Sequence, residues 1–218
     1  MGFNWQKLDR GHGAATFGEK MSEADCREAK KRLADAGVEL VACYCKNWGE
    51  KQSCRRLFDF AKGLDIETLV GEPLPEALDR VEKLCDEYKI NVAIHNHAKP
   101  SPYWRPETIL KLLQNRSRRI GACCDTGHWT RSGLNPVATL TKMLDRAITF
   151  DLKDVDERGA CVPFGAGKGD IHGILMVLRQ HRFRGVLGIE YDQCPPDIEK
   201  QISQCIAFID NSAKEPQQ

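Results

Sequence analysis

A short apolar or β-branched run, a polar loop and an amphipathic helix recur along this chain about every 30 residues, the length of one strand–helix unit. The strand-like runs are Val38–Cys45, Ile66–Gly71, Ile90–His97, Gly121–His128, Ala147–Val155 and Val186–Asp192. The segments between them carry helix punctuation. Ser22 and Asp25 have the spacing of a capping box, and Gly37 can end that helix. Pro75, Pro106 and Pro136 stand where a first helical residue belongs. Leu78, Val81, Cys85 and Tyr88 share one helical face, as do Ile198, Ile202, Cys205 and Ile209. Strict alternation of strand and helix predicts a parallel sheet with helices outside it. The strands are apolar along most of their length, as strands covered on both faces should be.

Such a sheet can be open or closed into a barrel, and the polar residues discriminate. They collect at the C-terminal ends of successive strands: His95 and His97, Asp125 and His128, Asp151 and Asp154, Glu190 and Asp192. In a barrel these ends converge on one mouth, whereas in an open sheet they spread along an edge. No GxGxxG or Walker sequence follows the first strand, which removes the main support for a nucleotide-binding open sheet. The expected fold is therefore α/β of the (β/α)8 barrel type. Six strands are legible where a closed barrel has eight in roughly 250 residues. The first one or two units are expected to be missing or altered, with residues 1–20 an irregular lead-in. The 218 residues are expected to form one domain, with 211–218 as a C-terminal tail.

Composition narrows the function classes. Basic residues number 32 against 31 acidic ones, a net charge of +1 without a basic stripe, so nucleic acid is not an expected partner. No apolar run approaches the roughly 18 residues of a membrane span, and no apolar segment follows Met1 as in a secretory signal. Ten cysteines include no CxxC pair. Cys43, Cys45, Cys123 and Cys124 lie in strand runs, and Cys26, Cys85 and Cys205 on apolar helix faces, where cysteine acts as a small hydrophobe. A reduced, cytoplasmic protein is expected.

Four consecutive strand ends carry the chemistry: Ile94-His95-Asn96-His97, Asp125-Thr126-Gly127-His128, Asp151-Leu152-Lys153-Asp154 and Ile189-Glu190-Tyr191-Asp192. Imidazole and carboxylate together suit one divalent ion of the Mn²⁺, Mg²⁺, Co²⁺ or Zn²⁺ kind. A single such residue is usually a cap or a surface group, but four ends in succession point to a site. From Ser22 to Asp210 the chain resembles the xylose isomerase-like TIM barrel superfamily of sugar phosphate isomerases and epimerases. The stretches VAIHNH, GACCDTGHWTRSG, DLKDVDERGACVPFGAGKGD and GVLGIEYD carry the resemblance. It implies one metal held by Glu, Asp, His and Glu from four strands. Carried over, the Asp is Asp125 and the last Glu is Glu190, while His95 stands at the first Glu and Asp151 at the family's His. The implied ligand set is His95, Asp125, Asp151 and Glu190.

Glu190 is then the expected base, Lys153 a catalytic partner, and His97, His128, Arg131 and Trp129 substrate contacts. A ligating His at position 95 is a poor base, because its lone pair is on the metal. Two-base epimerisation is thereby weakened in favour of one-base chemistry next to a carbonyl. The expected activity is metal-dependent isomerisation or epimerisation of a small-molecule sugar or sugar phosphate. Lyase or hydratase chemistry on a keto-sugar is the alternative, and a truncated inactive barrel a second one. An endonuclease IV-type phosphodiesterase needs more ligands than six histidines and these strands supply. Arg131 can equally form a salt bridge. The run Pro163–Asp170 can offer backbone amides to a phosphate or serve as a flexible connector into a helix capped by Asp170. Trp104 and Trp129 are read as an apolar wall for a sugar face or as packing. A homo-oligomer is possible because the first and last strands lack neighbours.

Overall fold

Alternation of strands and helices is the observed pattern over residues 18–215, which the computed structural model describes. The expectation for residues 1–20 lies almost wholly outside that range. The strands are β1 (Ala42–Tyr44), β2 (Thr68–Gly71), β3 (Asn91–His95), β4 (Ile120–Asp125), β5 (Ala147–Leu152), the short β6 (Asp154–Val155) and β7 (Cys161–Val162), and β8 (Val186–Ile189). The helices are α1 (Glu23–Asp35), α2 (Lys51–Gly63), α3 (Leu78–Tyr88), α4 (Pro106–Leu113), α5 (Thr126–Arg131), α6 (Pro136–Met143), α7 (Ile171–Gln180) and α8 (Ile198–Lys214). Helix α8 thus continues through residues 211–214, which the sequence reading assigned to a tail.

Contacts divide the described residues into two compact units. The first comprises residues 18–94 and 112–121. In it β1 pairs with β2 and β2 with β3, all parallel. Its core is the fully covered β2 with Leu57 and Phe58 of α2 and Leu78, Val81 and Cys85 of α3. The capping box of α1 forms as read: Ser22 Oγ accepts from Asp25 N at 3.2 Å and Asp25 Oδ2 accepts from Ser22 N at 2.9 Å. Gly37 then takes a positive φ of 66° past the helix end, a conformation glycine reaches without a Cβ penalty.

The second unit comprises residues 95–111 and 122–215. Strand β5 pairs in parallel with β4 on one side and β8 on the other, and β6 and β7 form an antiparallel pair. Cys123, Cys124, Phe150 and Leu152 have no exposure. Strands β1 and β8 are shorter than read and partly exposed, because among the described residues each pairs with one strand only. Hydrogen bonding continues one residue past β8, where Glu190 N donates to Leu152 O at 3.0 Å. That bond sets Glu190 beside Lys153.

The run Gly121–His128 is corrected at its end. The strand stops at Asp125 and α5 begins at Thr126, because Asp125 Oδ1 accepts from His128 N at 2.7 Å and caps the new helix. Among the described residues no helix is long and apolar enough to cross a membrane.

Candidate metal centre

Two of the strand ends at the centre, those of Asp125 and Lys153, are cross-linked to their neighbours. Asn96, just past β3, mimics a strand edge toward Asp125: its Nδ2 donates to Asp125 O at 3.0 Å and its Oδ1 accepts from Asp125 N at 2.9 Å. Thr126 does the same for Lys153, its Oγ1 accepting from Lys153 N at 2.9 Å and donating to Lys153 O at 3.0 Å. Buried polar side chains paired in this way are rigid, since leaving either partner unsatisfied is costly.

The result is a tight cluster. One ligand atom each from His95, Asp125, Asp151 and Glu190 lies within 4.8 Å of the others. His95 Nε2 is 3.4 Å from Asp151 Oδ2 and 3.7 Å from Asp125 Oδ2. Bonds of roughly 2.0–2.2 Å from one ion to such atoms leave them roughly 3.4 Å apart in a tetrahedral arrangement, so the spacing suits a shared cation. The two positions at which the family resemblance implies exchanged residues, His95 and Asp151, are direct neighbours.

The electrostatics point the same way. Three carboxylates share the cluster with one ammonium, Lys153, whose side chain has no exposure. Lys153 Nζ is 2.9 Å from Asp125 Oδ2, 3.3 Å from Glu190 Oε1 and 2.6 Å from Asp192 Oδ1. Burial works against its charge, yet these carboxylates hold its pKa above the usual lysine value. Glu190 is pushed up to about 8, first by burial and then by Asp151 and Asp125. For His95 burial also opposes the charge, but the hydrogen bond to Asp151 and the charges of Asp125 and Asp151 raise its pKa overall. A buried excess of negative charge that one carboxylate relieves by holding a proton is a surplus that a divalent cation neutralises. The donor set of one imidazole and three carboxylates therefore fits a divalent ion.

His97 and His128 stand over the centre. Their ring centroids are 4.9 Å apart, and His97 lies 4.4 Å from His95. His128 Nε2 is 3.7 Å from Asp125 Oδ2, and burial lowers its pKa to about 4, so its ring is neutral at pH 7.

Other expected contacts have different settings. Arg131 Nε donates to Gly159 O at 2.9 Å and its Nη1 pairs with Asp192, so its guanidinium is spent on the salt bridge that the sequence reading held equally open. Trp129 is 1% exposed and sits in the core instead of offering a ring to a sugar. Trp104 lies under Lys99 Nζ at 4.2 Å and the Arg105 guanidinium at 4.5 Å. The amides of Gly165, Gly167 and Gly169 all donate to the buried Asp154 carboxylate at 2.9, 3.0 and 2.9 Å. They are not available to a phosphate, and the glycine loop is anchored where a flexible connector was the other reading.

Asp192 and Asn96 are the residues the sequence reading left without a role. Asp192 joins Lys153 to Arg131, which lower its pKa to about 2 against the effect of burial. The signal for Asn96 was its place between two histidines at a strand end. Nothing in the spacing singled out Asp192 over Glu190.

The xylose isomerase-like TIM barrel model matches residues 1–211. Two curated relatives match part of the chain. Inosose dehydratase of Clostridium tetani is 26% identical over 141 aligned positions, and the match covers 56% of this chain and 47% of the relative. The uncharacterized protein y4fM of Sinorhizobium fredii is 29% identical over 101 residues, 44% of this chain and 31% of that one. The chain thus spans about half or less of the length of these relatives.

Among solved structures, a protein of unknown function from Parabacteroides distasonis is 27% identical with a TM-score of 0.69, over 89% of this chain and 78% of that one. A 3-keto-D-glucoside 4-epimerase from E. coli has a TM-score of 0.73 at 12% identity over 89% and 87%. A xylose isomerase-like TIM barrel protein from Mycobacterium smegmatis in complex with magnesium has a TM-score of 0.72 at 15% identity over 89% and 79%.

Proposed function

The chain belongs to the xylose isomerase-like TIM barrel family, and on that premise we propose that it is a metal-dependent enzyme that removes a proton next to the carbonyl of a sugar or sugar phosphate. The observation that carries this reading is the convergence of His95, Asp125, Asp151 and Glu190 on one point, with Lys153 beneath them. A divalent ion on these four residues would supply Lewis-acid stabilisation for the negative charge that develops on the substrate's oxygens. The sugar-acting relatives and the magnesium-bound neighbour support the substrate class and the metal.

Glu190 is the base. Its side chain is 29% exposed and that of Asp151 26%, while those of His95 and Asp125 are 3% and 0%, so Glu190 and Asp151 line the open side of the cluster, and of these two Glu190 is the one whose affinity for a proton is raised. Its carboxylate takes the C–H proton, the electron pair forms a C=C bond, and the carbonyl π pair moves to oxygen. Return of the proton to the former carbonyl carbon, with the proton of the adjacent hydroxyl passing to the oxyanion as its carbon becomes the new carbonyl, completes an isomerisation. Lys153 holds Glu190 by one oxygen, and with its other donors on Asp125 and Asp192 it positions the base without touching substrate. The neutral His128 and its neighbour His97 hydrogen-bond substrate hydroxyls in this reading, which their proximity to His95 and Asp125 supports. A reducing cytoplasm suits the ten free thiols.

Dehydration is the second reading, favoured by the likeness to inosose dehydratase. It shares the first step, after which a hydroxyl on the next carbon leaves as water. Incubating keto-sugars with the metal-loaded protein in D₂O and following carbon-bound deuterium by NMR tests the common step. Exchange that disappears in Glu190→Gln supports the proposal. No exchange with any keto-sugar, with metal bound, contradicts it. An aldose or epimer product identifies isomerisation, and loss of water identifies the second reading.

A further inference from the structure

Cys123 lies on β4 two residues before Asp125, so alternation along the strand puts both side chains on one face. Its Sγ is 3.2 Å from Asp151 Oδ2. Donor atoms of His95, Cys123 and Asp151 also fall within 4.8 Å of one another, and His95 and Asp151 are common to this trio and to the four-residue cluster. Asp151 Oδ2 is the shared vertex, 3.4 Å from His95 Nε2 and 3.2 Å from the sulfur. Bonds of roughly 2.3 Å to sulfur and 2.0–2.2 Å to oxygen or nitrogen give tetrahedral edges of roughly 3.4–3.6 Å, close to both distances. The thiol is fully buried, yet it faces the ligand cluster and not only apolar side chains.

We infer that Cys123 joins His95 and Asp151 in holding the ion and makes the centre select a thiophilic divalent ion, Zn²⁺ or Co²⁺, over Mg²⁺ or Mn²⁺. The inference rests on the metal site of the proposed function. A thiolate favours zinc over the oxygen-seeking ions, and the thiol proton passes to solvent as the metal–sulfur bond forms. Cys124, the next residue, projects to the opposite face and belongs to neither donor group.

The test is a Co²⁺ titration of the full chain followed by absorption, with competition by Zn²⁺, Mg²⁺ and Mn²⁺. The expected result is a sulfur-to-cobalt charge-transfer band in the near ultraviolet that saturates with the bound ion. Cys123→Ser keeps a hydrogen-bond donor toward Asp151 but should lose the band and at least about tenfold in Zn²⁺ affinity, with Mg²⁺ affinity within about twofold. Cys124→Ala should keep the band, which separates ligation from the effect of altering a buried cysteine. Co²⁺ bound without the band, or a band that persists in Cys123→Ser, overturns the inference and leaves the four-residue site standing. No binding of any of the four ions overturns both.

Discussion

Lys153 carries its charge with no exposed side-chain surface because Asp125, Glu190 and Asp192 surround its ammonium. Removing one member of such a buried group strands the others, at a cost of roughly 3–5 kcal/mol. Lys153→Met should therefore lower the unfolding free energy by about that amount in urea denaturation of the metal-free protein. A loss below about 1 kcal/mol would mean that the group is solvated, as exposed pairs are. Glu190→Gln keeps the shape of the base and removes its ability to accept a proton. It should slow solvent-deuterium exchange into substrate by roughly 10²–10⁴-fold, the usual contribution of a positioned acid–base group. The gathering of His95, Asp125, Asp151 and Glu190 in one cluster was legible because each ends an apolar run, while their choice as a ligand set came from the family resemblance. The settings of Arg131 and Trp129 were not legible. Both lie on α5, whose six residues are too few to show a periodicity, so nothing in the sequence told which of its side chains face the core.

At the scale of elements, the centre depends on close approaches between loops. A Cβ on Gly127 would lie 2.6 Å from Cγ and Cδ of Lys153, so the short helix α5 can cover the lysine only if residue 127 has no side chain. Gly127→Ala should cost about 1–3 kcal/mol in stability, as overpacking does, and weaken metal binding by displacing Lys153. Calorimetry with and without metal measures both, and an unchanged metal affinity would show that Lys153 does not set the ligand geometry. Asp154 anchors three glycine amides of the loop before α7. In Asp154→Ala those amides should exchange with solvent at least about tenfold faster by NMR, since the protecting acceptor is gone. Equal rates would mean that the loop is held by other contacts. Strand and helix positions were readable from apolar runs and their Ser, Pro and Gly punctuation. The end of β4 was not, because Asp125 serves at once as last strand residue, helix cap and cluster member. The occupation of the glycine amides depends on a residue 11 to 15 positions earlier, beyond the reach of a local motif.

At the scale of the whole molecule, a parallel strand–helix chain of the TIM-barrel type carries one polar cluster at its strand ends. The six strands of the parallel sheet were legible, and the short β6–β7 pair was not, because two-residue strands leave no periodicity to read. Binding that is specific to the folded state must stabilise it by mass action. A metal at about a hundred times its dissociation constant adds about 2.7 kcal/mol, or roughly 5–11 °C in Tm for a chain of this size. That shift should vanish with EDTA, and a Tm indifferent to all four ions would argue against a folded-state site. The most direct test is the metal content of the purified protein by elemental analysis, after exposure to Zn²⁺, Co²⁺, Mn²⁺ and Mg²⁺, beside Asp125→Ala and Glu190→Ala. The account predicts about one ion per native chain and its loss in both variants, with the fold retained by circular dichroism. A folded native protein that retains no ion, or variants that retain it fully, would contradict it.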